Sequence, residues 1–111
     1  MNYEDRVTKE YLENAIANAG VKFETGSYVG NGQIGAEHPI SLHFSFAPKI
    51  VWVYVNSLRV MFLPECDAAA VGNKSVIVNF QGTELSWYTT AQDTSAQLCN
   101  NGWTYYWLAI G

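Results

Sequence analysis

The sequence predicts a mainly β protein, an antiparallel β-sandwich of about six to eight strands preceded by one N-terminal α-helix. Three observations carry this. Beyond Gly20 helix formers thin out, and Val, Ile, Thr, Tyr, Phe and Trp take over. Apolar side chains there recur every second residue, as in Ser41-Leu42-His43-Phe44-Ser45-Phe46, the period of a strand with one buried face. Short segments of this kind are separated by Gly, Pro and Asn at regular spacing, without alternating helix signals, which points away from a parallel sheet and toward a sandwich.

The helix comes first. Asn2 is a capping residue, Glu4 and Asp5 fall in the first turn, and Gly20 follows about Ala19 as a terminator. Tyr3, Val7, Tyr11, Leu12, Ala15, Ile16 and Ala19 form a stripe that needs cover. Fewer than three clean heptads are present, so a sustained coiled coil is not predicted. A helix of this length is marginal alone; it must dock on its own β domain, on copies of itself or on a larger neighbour. The chain thus divides into a helical leader, residues 1–20, and a β-sandwich domain, residues 21–111.

Within that domain the run from Thr25 to Gly35 reads as a strand and a turn. The strand at Ser41–Phe46 buries Leu42, Phe44 and Phe46 and is broken by Ala47-Pro48. Lys49–Val55 is apolar on both faces, as a central strand would be. Asn56-Ser57 is a turn into Leu58–Leu63, which Pro64 ends. Glu65–Asn73 is small and polar and reads as a loop. Strands resume at Ser75–Phe80 and Glu84–Tyr88, and Thr89–Ser95 reads as another loop. A last hairpin is predicted from Ala96–Cys99, a turn at Asn100-Asn101-Gly102, and Trp103–Ile110.

At 111 residues, 49% hydrophobic and 14% charged, the chain is too apolar for a disordered segment and long enough for one core. The net charge of −4 and the scatter of its six Lys and Arg side chains argue against nucleic acid and anionic membrane as partners. No signal peptide or spanning run is readable at the start, so synthesis in a bacterial cytoplasm is expected. Cys66 and Cys99 have no paired spacing and no adjacent His, and they read as free thiols.

Catalytic chemistry finds little to build on. The Gly-rich run lacks the Gly-Lys-Ser/Thr ending of a phosphate loop. His38 and His43 have no companions at metal-ligand spacing. Glu65 with Asp67, or Glu84 with Asp93, could pair as in glycoside cleavage, but loop solvation accounts for them better. The chain reads as a binding protein without enzymatic activity, metal or cofactor.

Aromatic residues are more informative: seven Tyr, five Phe and four Trp. They concentrate in Trp103-Thr104-Tyr105-Tyr106-Trp107, where strand alternation sets Trp103, Tyr105 and Trp107 on one side and Tyr106, Leu108 and Ile110 on the other. If the latter three fill the core, the former line a sheet surface suited to sugar stacking or to a subunit interface. The alternative is that these rings cover the core or meet the leader helix. The candidate ligand-binding residues are Trp103, Tyr105 and Trp107, with Asn100 and Asn101 at the adjacent turn as polar partners.

Thr25-Gly26-Ser27-Tyr28-Val29-Gly30, the stretch from Ser41 to Val51, Trp87-Tyr88 and the ending Tyr105–Gly111 resemble a module of tail-associated proteins in phages and prophages of gut Firmicutes. The leader, from Tyr3 to Tyr11, is similar to the starts of short proteins from such gene clusters. Phe46 to Val55 also resembles H-type lectins, although their ligand triad has no match at these positions and the leader helix departs from their pattern. The resemblance implies a virion-associated β-sandwich binding module, a homotrimer in tail fibres or surface fibres. On that basis the expected function is a tail-fibre or baseplate-tip adhesin that binds a bacterial surface glycan. The alternative is a virion decoration or fibre-assembly protein whose helix and aromatic face meet other virion proteins.

Overall fold

The computed structural model describes residues 22–111; the leader helix expected from Asn2 to Ala19 lies outside the described residues. Eight strands follow: β1 (Phe23–Val29), β2 (Ile40–His43), β3 (Ile50–Val55), β4 (Leu58–Phe62), β5 (Ala68–Val71), β6 (Lys74–Gln81), β7 (Glu84–Tyr88) and β8 (Thr104–Ile110). They form two sheets of four, in the orders β1-β8-β3-β4 and β2-β7-β6-β5, with every neighbouring pair antiparallel. The sheets pack face to face. Phe62 of the first and Trp87 of the second stack at 4.6 Å, and one buried cluster draws Val51, Val53 and Val60 from one side and Val76, Val78 and Leu85 from the other. The predicted antiparallel sandwich is therefore the observed architecture.

Local sequence explains the turns. Three hairpin loops have two residues each, between the pairs Val55↔Leu58, Val71↔Lys74 and Gln81↔Glu84. The first loop residue is at positive φ in all three: Asn56 at 52°, Gly72 at 63° and Gly82 at 58°. Gly and Asn tolerate that region where branched side chains do not.

Some segments depart from expectation. Ala68–Val71, read as loop, is strand β5; its alternating burial and pairing with β6 override the weak strand preference of alanine. Ser41–Phe46 leaves the sheet after His43, although Phe44 and Phe46 still enter the core. Ala96–Cys99, read as a strand, is a turn whose four residues are all buried. Strand β8 does not pair with it, but inserts between β1 and β3.

Tyr28 ties β1 to that turn. Its hydroxyl donates to the Leu98 carbonyl at 2.9 Å, and its ring stacks on Tyr105 at 5.2 Å. Burial first, then the neighbouring Tyr105 and Cys99, push its ionisation far above the ordinary phenol range; burial also raises that of Tyr105. Folding thus favours the neutral phenols, so their contribution is complete below the unfolded-state value of about 10 and is lost as pH rises beyond it. The urea midpoint is expected to hold between about pH 7 and 9 and to fall above about 10. Tyr28→Phe should cost about 1 kcal/mol at neutral pH and flatten that alkaline decline; an unaltered decline would remove Tyr28 from the explanation.

Candidate binding site at the Trp103 end

Strand β8 decides which aromatic side chains face out. Its register sets Tyr105 opposite Tyr28 and Trp107 opposite Gly26 on β1, and on that face the rings point inward. Tyr105 is 1% exposed and Trp107 8%. Trp107 lies directly over Gly26, where an added Cβ would sit 2.6 Å from its Cε2, and meets the Phe44 edge at 5.1 Å. The expectation that Trp103, Tyr105 and Trp107 line one open sheet face is thus corrected. The absent side chain at Gly26 makes room for an indole inside, and Tyr106 faces out instead.

Trp103 shares their parity but precedes the first β8 pair, Val29↔Thr104. Beyond the sheet its ring has no facing strand, and it is 47% exposed. It borders a cavity of about 190 Å³ between two loops. The β3–β4 hairpin supplies Val55, Asn56, Ser57 and Leu58; the segment before β8 supplies Ser95, Asn100 and Trp103, and β8 itself supplies Tyr105. Asn101 and Trp107 are not part of the lining. Three of the five residues nominated from sequence therefore meet here.

Their roles differ. The Asn100 side chain is committed internally: its Oδ1 accepts from Ser95 Oγ at 3.2 Å and from Thr94 Oγ1, and its Nδ2 is 3.0 Å from Ser95 Oγ. The Asn100 N–H donates to the Tyr105 hydroxyl at 2.9 Å. Asn100 thus shapes the loop that carries Trp103. Asn56 and Ser57 are exposed at the turn and line the cavity. Sequence reading marked them as a turn, but only the β3–β8 pairing brings them to Trp103.

The loops are anchored from behind. Gly30 N–H donates to the Trp103 carbonyl at 2.8 Å, and Gly102 N–H donates to the Gly30 carbonyl at 2.9 Å. Gln97, fully buried, donates through Nε2 to the carbonyls of His38 (2.6 Å) and Gln33 (3.3 Å). Its Oε1 accepts from Gly35 N–H and Thr89 N–H, both at 2.9 Å. Asp93 binds Lys74 at 2.9 Å and accepts from the Ser95 N–H; the Lys74 contact, then that N–H, hold its carboxyl below the usual range.

Other titratable groups lie elsewhere. Glu84 pairs with His43 at 3.1 Å on the outside of the second sheet, so Glu84 and Asp93 are engaged by separate partners. Cys66 is exposed, Cys99 is buried, and both are free; burial raises the Cys99 thiol. Among the described residues, no group of three or more His, Cys, Asp or Glu side chains is placed to hold a metal ion. No helix there is long and apolar enough to cross a membrane. Comparison of the chain with protein-family models, with curated proteins and with solved structures finds no match.

Proposed function

We propose that this chain is a binding module of a phage tail-fibre or baseplate-tip adhesin, displayed in several copies, which takes a bacterial surface glycan beside Trp103. The observation that carries this reading is an exposed indole at the rim of a small cavity with hydroxyl and amide groups opposite it. An aromatic face packs against the C–H side of a sugar ring, while short polar side chains meet its hydroxyls. The lining bears no carboxylate or ammonium group, which suits a neutral sugar. At about 190 Å³ the cavity is smaller than the roughly 300 Å³ at which ligand pockets begin, so it takes a single ring. One such contact is weak; copies held together in a trimer raise the apparent affinity without new contacts.

The test is a glycan array read with the fluorescently labelled chain, followed by titration of the best ligand. Trp103→Ala is expected to weaken binding by about tenfold or more, as loss of a central aromatic anchor does, with an unchanged thermal midpoint because the ring is outside the core. Binding that survives Trp103→Ala at full strength would move the site elsewhere. Light scattering should return a mass of several chains; a monomer would remove the multivalent part of the reading.

A further inference from the structure

The two outer faces of the sandwich differ in kind. On the second sheet the outward rows are His43-Glu84-Gln81 and Ser41-Ser86-Asn79, all polar, and then Tyr88-Ile77-Ala68, where Ile77 stands as a single exposed large apolar side chain. On the first sheet the register gives Phe23-Ile110-Ile50, then Thr25-Leu108-Trp52-Met61, then Ser27-Tyr106-Tyr54-Arg59. The centre of this face, on β8 and β3, is apolar and continues to Met61, with Tyr54, Met61 and Tyr106 among the exposed large side chains, while Thr25 and Ser27 on β1 and Arg59 on β4 are polar. Arg59 is the one charge in these rows, set over the Tyr54 ring at 5.5 Å. A contiguous patch of this kind marks a contact surface.

We propose that residues 1–20 of the same chain cover this face. The chain enters the sheet at Lys22, whose N–H and carbonyl both bond to Gly111, at the Phe23-Ile110-Ile50 corner. Gly20 and Val21 are all that separates that corner from the predicted helix, a connection that keeps consecutive elements adjacent. A helix from Asn2 to Ala19 is about 27 Å long at about 1.5 Å per residue. The seven-residue β8 is about 24 Å long at about 3.4 Å per residue. Lengths match, and the stripe of Val7, Tyr11, Leu12, Ala15 and Ile16 meets Leu108, Trp52 and Tyr106. Run back along β8, the helix reaches the Tyr106-Tyr54-Arg59 row about 14 Å from the corner, at about Glu10.

The experiment uses the full chain with Cys66→Ser and a reporter thiol at the centre of the face, Leu108→Cys. Alkylation is followed against time at several protein concentrations. The expected result is slow modification independent of concentration, accelerated about tenfold or more when Leu12→Asp and Ile16→Asp break the stripe, as for any locally protected group. Equal rates with and without those changes would leave the face uncovered and overturn the proposal. Protection that appears only as concentration rises would assign the cover to a second copy, and would also overturn it. Should Leu108→Cys not fold, Met61→Cys on the edge strand gives the same readout, since that side chain is already 42% exposed.

Discussion

Replacing Gln97 with leucine should lower the unfolding free energy by about 3–5 kcal/mol and the thermal midpoint by more than about 10 °C. The side chain is 0% exposed and makes four hydrogen bonds, all to backbone groups of other segments. Leucine preserves the volume but strands a buried Thr89 N–H and releases the 33–38 loop at three further points. Each unsatisfied buried group costs about 1–3 kcal/mol, although those near the surface regain water. Gln97→Glu separates chemistry from shape. As a neutral acid it keeps the acceptor and one donor; as a carboxylate it faces two carbonyls. Its folded-state ionisation is therefore raised, so stability should be greatest below about pH 4.3 and decline as pH rises. Urea unfolding of the three proteins at pH 4 and pH 7 checks this. Near-equal stability of wild type and Gln97→Leu would mean the glutamine is merely accommodated.

Gly30→Ala is the second large effect, about 2–4 kcal/mol of stability, with loss of ligand binding in addition. Gly30 has no unusual φ; its need for glycine is steric. An added Cβ would press on the Asn100 carbonyl and sit 2.5 Å from the Cys99 carbonyl carbon, main-chain atoms that cannot swing aside. Nor can Gly30 back away, because its N–H and carbonyl hold Trp103 and Gly102. Gly72→Ala is the contrast: nothing lies within 4 Å of the added atom, and its φ of 63° costs only about 1–2 kcal/mol. Denaturant curves with glycan titration distinguish the two, since Gly30→Ala should fail in both and Gly72→Ala only mildly in the first. A Gly30→Ala chain with native stability and affinity would show that the loop has slack.

How much of this was legible in the sequence depends on whether the deciding contact was local. Ile50–Val55 announces itself as an unbroken run of β-branched and aromatic residues, Ser41–His43 through alternation, and the Asn56 and Gly82 turns through residue type. Ala68–Val71 did not, because alanine's modest strand preference gives way to pairing with β6. The 96–99 segment looked like a strand because it is apolar. In fact Gln97 satisfies distant backbone groups, and Leu98 adopts a φ of 60° that sequence gives no reason to expect. The inward face of β8 was not readable either: Trp103 to Ile110 is apolar on both sides, and Gly26 and Tyr28, some eighty residues earlier in the chain, settle which side goes in. The same holds for the site. Trp103 and Asn100 stood out beside their turn, but Asn56 and Ser57 reach them only through a sheet that skips four strands.

The position of β8 between β1 and β3 also governs the order in which a nascent chain can fold. The β3–β4 hairpin and the β5-β6-β7 meander close from neighbouring residues and can zip early. The first sheet must wait until the ribosome has delivered residues 104–110, because its second member in space follows the other seven strands in sequence. Until then β1 and the open side of β3 have no rung to bind, and their ring-rich edges stand in the crowded cell as templates for stray strands. Loop closure between β1 and β8 makes this step slow, so the hazard of clumping lasts until that strand is inserted.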